Sequence, residues 1–158
     1  MPVLIGHDET IRYIGIDISA AMVEEALRFN QALVASGRAE FLHGSAEALP
    51  FPEGSFDRVF AVAVAYFWPE PVRALTEIHR VLRPSGISIL ASMYPETATS
   101  FEFARAEFGF RVYDADTLVT MHREAGFRHV VVETYDEVTT QSNENNGPLR
   151  VYLIAAEA

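Results

Sequence analysis

The acid Asp17 ends the stretch Arg12–Ile16, RYIGI, and stands just before Ser19. An ionised carboxylate at a strand tip offers two oxygens to two adjacent donors, and such charge-assisted bonds are strong. That chemistry suits the paired hydroxyls of a ribose. The plainer reading of the same residue is a helix-capping or turn acid. A second candidate group is Tyr66, Phe67 and Trp68, consecutive rings after the apolar run Asp57–Ala65. If that run is a parallel strand, the rings lie outside its C-terminal end, where open α/β sheets bind ligands. There they could line a pocket and favour a cation. The plainer reading is packing of the next helix.

Other chemistries find no support. His43, His79, His122 and His129 are scattered, with no H-x-x-x-H pair, and read as structural or exposed. No G-x-S-x-G elbow is present, which leaves hydrolase chemistry without its nucleophile turn. The absence of Cys removes disulfides, thiolate metal sites and a Cys nucleophile together.

The elements that must position these residues alternate between strand and helix. After RYIGI, Ser19 can cap a helix whose apolar stripe is Val23, Ala26, Leu27, Leu33 and Val34, broken only by Asn30, with Gly37 as its left-handed terminator. AEFLHG is a short strand and SAEALPFPEGSF a loop marked by two prolines and Gly54. Asp57–Ala65, DRVFAVAVA, is a near-continuous apolar run, which predicts a strand buried on both faces. PEPVRALTEIHRVLRPSG predicts a helix from near Pro69 to Arg83, and ISILAS another buried strand. DADTLVTMHREAGF predicts a helix capped by Asp114 or Asp116 and ended at Gly126. HVVVETY and RVYLIAA are two further strands with the polar stretch DEVTTQSNENNGPL and no helix between them, so they can pair antiparallel at one edge. Phe101–Val112 can be a helix or a loop over the site. The order implies an α/β fold with a mostly parallel sheet. Residues 1–158 are expected to form a single, partial domain.

Twelve basic against twenty-two acidic residues give a net charge of −10, which opposes nucleic-acid binding. No apolar run approaches the ~20 residues that span a bilayer. MPVLIGHDET has no basic region or long apolar segment and does not read as a secretory leader. A cytoplasmic protein acting on a small molecule is expected, with neither nucleic acid nor membrane as partner.

The stretch FLHGSAEALPFPEGSFDRVFA…EIHRVLRPSG resembles the class I S-adenosylmethionine-dependent methyltransferases, in particular the type 11 subgroup that includes the ubiquinone/menaquinone methylases. IGIDIS before a helix, AGF before a strand and the closing YLIAA strand match the same pattern. Each motif is weak alone; the ordered set with matching spacing is specific. The resemblance implies a Rossmann-like sheet, S-adenosyl-L-methionine as cofactor and a small-molecule methyl acceptor. It implies that Asp17, with Ile18 beside it, holds the ribose. It puts Ser45, Ala46 and Glu47 against adenine, with Ser45 where the family usually has Asp, so an acceptor is kept and its charge lost. A backbone carbonyl at Ala61 or Val62 would accept from the cofactor's amino group, with Phe67 nearby. Tyr66 and Trp68 would line the acceptor pocket. No catalytic base and no metal ligand is assigned.

The family precedes its ribose-binding acid with a strand ending in E/D-x-G-x-G-x-G. Here the glycines stand at 6, 15, 37, 44, 54, 86, 109, 126 and 147, and no two are spaced G-x-G. The sheet is therefore expected to lack its usual first strand. PVLI can pair antiparallel with RYIGI, or is the end of a helix whose beginning is gone. The chain resembles a methyltransferase truncated at its N-terminus, whether by a misassigned start, by deliberate shortening or by gene decay. Cofactor binding is then expected to be impaired. The alternative is a non-catalytic remnant or partner subunit that associates, as a homo-oligomer among other ways, through exposed strand edges.

Overall fold

The computed structural model describes residues 8–98, 101, 109–137 and 149–158. PVLI, most of Phe101–Val112 and nearly all of the polar stretch before the last strand lie outside the described residues. The chain divides into two compact units, Met1–Pro50 and Phe51–Ala158.

In the first unit, β1 (Tyr13–Asp17) and β2 (Ala39–His43) pair in parallel, with Tyr13 opposite Ala39 and Asp17 opposite His43. Between them run α1 (Ala20–Phe29) and α2 (Gln31–Ala35). Ser19 caps α1 as expected, its hydroxyl accepting from the Met22 N–H at 3.4 Å. The single helix read from the apolar stripe is broken at Asn30. Its side-chain amide donates to the Ala26 carbonyl at 2.8 Å, and its backbone leaves the helical region at φ −114°, ψ 24°. A short polar side chain here competes for the carbonyls that would continue the helix.

In the second unit, β3 (Phe56–Val62), β4 (Leu82–Met93), β5 (Arg128–Glu137) and β6 (Leu149–Glu157) form one sheet in the order β3-β4-β6-β5. β3 and β4 are parallel, and β6 runs antiparallel to both β4 and β5. Three of these four strands thus point one way, and the C-terminal strand is the antiparallel member at that end of the sheet, with β5 outside it. The pairing of β5 with β6 across the polar stretch is the one read from the sequence.

α3 (Pro71–Val81) has Pro at its first turn and buries Ala74, Leu75, Ile78 and Val81, a helical stripe. It is shorter than the helix read from Pro69 to Arg83, because Leu82 is already extended and opens β4. The RPSG segment interrupts that strand: Phe56 pairs with Leu82 but Arg58 with Ile87, and Ser85 sits at φ 64°. A one-turn helix, α4 (Pro95–Ala98), follows β4, and α5 (Ala115–Glu124) precedes β5. Asp114 caps α5, accepting from the Thr117 N–H at 2.8 Å.

One face of this sheet is well packed. Leu90 of β4 and Ile154 of β6 cluster with Leu118 of α5, Tyr152 and Ala65. The other face is covered toward its upper end, where Tyr66, Met93, Ala98 and Phe110 cluster. The expectation that β3 is buried on both faces is corrected: Arg58, Phe60 and Val62 are exposed while Val59 and Ala61 are half-buried. An apolar run records that both sets of side chains are greasy. It does not record whether anything covers the second set.

Candidate functional site

In the first unit the residues expected to hold a cofactor come together at the C-terminal tips of β1 and β2. One Asp17 carboxylate oxygen accepts from the Ser19 N–H at 2.8 Å, so the helix start orients the acid. The second oxygen has no partner among the described residues. The Asp17 carbonyl accepts from the Gly44 N–H at 3.0 Å, which starts the loop after β2 alongside the acid. That loop is tied to itself: the Ser45 hydroxyl accepts from the Glu47 N–H at 3.2 Å and the Ser45 carbonyl from the Ala48 N–H at 3.2 Å. Ala46 lies at the turn so formed, half-buried, and its N–H has no partner among the described residues. Ile18 is 73% exposed at the same tip.

His43, read from the sequence only as structural or exposed, is exposed at this tip. Its Nε2–H donates to the Ile18 carbonyl at 2.9 Å, closing the tip from the β2 side. The signal lay in register: two parallel strands of equal length put their last residues, Asp17 and His43, side by side.

In the second unit β3 ends at Val62, which is 58% exposed, while Ala61 packs on the Leu90 cluster. Ala63, at φ 53°, turns the chain into the single 3-10 turn Ala65–Phe67, with its N–H donating to the Ala91 carbonyl at 3.0 Å. The three rings then separate. Tyr66 is 1% exposed; its hydroxyl accepts from the Met93 N–H and its ring stacks on Phe110 at 4.7 Å. Trp68 is half-buried against the Leu90 cluster. Phe67 is exposed, edge-on to Phe110 at 5.3 Å. Packing thus accounts for Tyr66, and the outward ring is Phe67.

At the tips of β1 and β2, an oriented acceptor and an unpaired N–H lie at one end of a parallel strand pair. This donor–acceptor set fits a sugar hydroxyl pair and the edge of a base. The methyltransferase domain family matches residues 4–90, more than half of the sequence. The chain belongs to that family. This methyltransferase-family chain is 36% identical over 91 residues to the uncharacterized methyltransferase YcgJ of Bacillus subtilis, covering 57% of the chain and 36% of YcgJ. It is 32% identical over 129 residues to the demethylmenaquinone methyltransferase of Geobacillus kaustophilus, covering 63% of the chain and 53% of that protein. It therefore spans about a third to a half of the length of these relatives. In fold it is similar to the [4+2]-cyclase SpnF, with a TM-score of 0.73 at 22% identity, covering 98% of this chain and 70% of that one. The fold is thus the Rossmann-like class I methyltransferase fold. Among its described residues, no helix is long and apolar enough to cross a membrane.

S-adenosylmethionine fits this methyltransferase chain in part. The Asp17 carboxylate offers an acceptor and the Ala46 N–H a donor of the kinds that a ribose and a base edge pair with. No G-x-G spacing exists anywhere in the sequence, so the close backbone approach that glycines permit has no counterpart there.

Proposed function

We propose that the chain serves S-adenosylmethionine-dependent methyl transfer to a small-molecule acceptor, with cofactor affinity lowered by the missing glycine turn. The carrying observation is the tip of β1, where the Asp17 carboxylate is held by Ser19 on one oxygen and has no partner for the other among the described residues. In this reading Asp17 accepts from the ribose hydroxyls and Ile18 flanks them. Ala46 donates to the adenine edge, and Ser45 and Glu47 shape that loop. In the second unit, a carbonyl at Ala61 or Val62 accepts from the cofactor's amino group and Phe67 presents its ring. Trp68 borders the acceptor, and Tyr66 supports from behind by packing. The sulfonium supplies an already reactive methyl group, so the protein's task is largely alignment. Both units belong to one domain in this proposal, supported by a family match that runs across residue 50. A cytoplasmic setting is part of it, supported by the acidic balance and the lack of Cys.

Calorimetric titration with S-adenosylmethionine tests the reading. The expected dissociation constant is weaker than about 100 µM, and Asp17→Ala weakens it a further ~10-fold, the scale of one charge-assisted bond. Low-micromolar affinity would refute the impairment, and indifference to Asp17→Ala would refute the role of that acid.

A second reading is favoured by the absent G-x-G: a non-catalytic member that acts through association along strand edges. Binding of cofactor with the Asp17 dependence above counts against it.

A further inference from the structure

Two hydroxyls in the second unit are buried and have no hydrogen-bond partner among the described residues, Ser92 Oγ and Tyr113 OH. Buried hydroxyls are nearly always paired, because an unpaired one gives up its hydration for nothing. Both belong to the packed face of the second sheet. Ser92, 1% exposed, stands opposite Tyr152 and two residues along β4 from Leu90, so its side chain shares their face. Tyr113 packs against the same Leu90–Tyr152 cluster, as does Trp68. Tyr94 stacks on Tyr152 with ring centroids 3.9 Å apart. Tyr113 is also turned the unusual way round. A half-buried tyrosine ordinarily keeps its hydroxyl in water and its ring against apolar surface. Here the residue is half-buried and the hydroxyl is the buried end. The two hydroxyls do not bond each other.

We propose that the hydroxyls of Ser92 and Tyr113, set among the rings of Trp68, Tyr94 and Tyr152, hold the oxygen of a small, neutral, ring-bearing ligand. Each hydroxyl both donates and accepts, so a phenol or a ring carbonyl suits the pair. An ion does not, since two neutral hydroxyls cannot offset its desolvation among these rings. Entry is through the segment that carries Tyr113, which has no regular structure between Gly109 and α5. Arg111 ties it to the aromatic turn: its N–H donates to the Tyr66 carbonyl at 3.0 Å and its guanidinium to the Pro69 carbonyl at 2.7 Å. Such a segment opens at less cost than a strand or a helix, and opening it uncovers the Tyr113 hydroxyl. In the methyl-transfer reading above this ligand is the acceptor, and that name rests on that reading; the hydroxyls and rings of the site do not.

Phenol, with toluene as its counterpart lacking the oxygen, tests the site by amide-resolved NMR titration of the full chain without cofactor. Phenol is expected to give saturable shifts at Ser92, Tyr113 and Tyr152 with a dissociation constant of about 1 mM. Toluene is expected to bind at least ~5-fold more weakly, the scale of one neutral hydrogen bond. Ser92→Ala and Tyr113→Phe each delete one oxygen and are expected to weaken phenol ~5-fold while leaving toluene unchanged. Thermal unfolding of the same variants separates a ligand site from a structural water. Deleting an unpaired buried hydroxyl removes a penalty, so neither variant is expected to melt below the wild type. Hydroxyls paired with a buried water would make the variants melt lower, by about 2–4 °C. Phenol shifts that do not saturate, toluene that binds as well, phenol binding that neither variant weakens, or lower melting of either variant overturns the proposal. None of these outcomes bears on Asp17, and a failed cofactor titration leaves the phenol result standing.

Discussion

One oxygen of Asp17 is fixed by the Ser19 N–H, and the other has no partner among the described residues. Ser19 in turn is read straight from the chain, since a hydroxyl before an amphipathic run is a cap by its chemistry alone. Tyr66 was not legible in the same way. Its burial depends on Phe110 and on the Met93 N–H, partners brought together only by the sheet. His122 shows the same limit. It is fully buried on α5, its Nδ1–H donates to the Leu118 carbonyl at 2.7 Å, and its Nε2 has no hydrogen-bond partner in the structure. Burial pushes the imidazole below its ordinary 6.5, partly offset by the Leu118 carbonyl. The folded state therefore holds His122 neutral, while the unfolded chain takes up a proton near 6.5. Stability is full above that pH and is lost as the pH falls through it toward the lower folded value. The melting temperature is expected to drop between pH 7 and about 5.5, and His122→Leu is expected to flatten that slope. An unchanged slope in the variant would assign the pH response to other groups.

At the scale of elements, the alternation of strand and helix was readable because the hydrophobic period changes sharply between them. Boundaries depended on particular residues. Asn30 divides one expected helix into α1 and α2 through its own amide, and Leu82 leaves the helix to pair with Phe56. The exposed half of β3 could not be read from an apolar run, because cover is supplied by other elements. The helix terminators were legible: Gly37 and Gly126 take the left-handed conformation at φ 70° and 102°. At Gly126 a Cβ would also meet the His79 ring at 3.4 Å. Gly126→Ala is expected to destabilise the protein by about 1–2 kcal/mol, measured by urea denaturation, through backbone strain at a position L-residues avoid. A neutral or stabilising result would mean that the turn after α5 relaxes to negative φ without cost.

At the scale of the whole molecule, family membership was legible because several weak motifs occur in one order, and the match over residues 4–90 agrees with that order. The division at Pro50 falls in the loop that its two prolines and Gly54 mark, but such a loop reads alike whether it joins two elements of one unit or two units. What the chain does with a cofactor comes down to whether the tips of β1 and β2 recognise a ribose and a base. Amide-resolved NMR titration with S-adenosylmethionine reads this directly, even for millimolar affinity. The expected result is saturable shifts concentrated on Asp17, Ile18 and Ser19 and on Gly44 to Ala48, lost in Asp17→Ala. Saturating cofactor that leaves those amides unmoved, or shifts that persist without the Asp17 carboxylate, would contradict it.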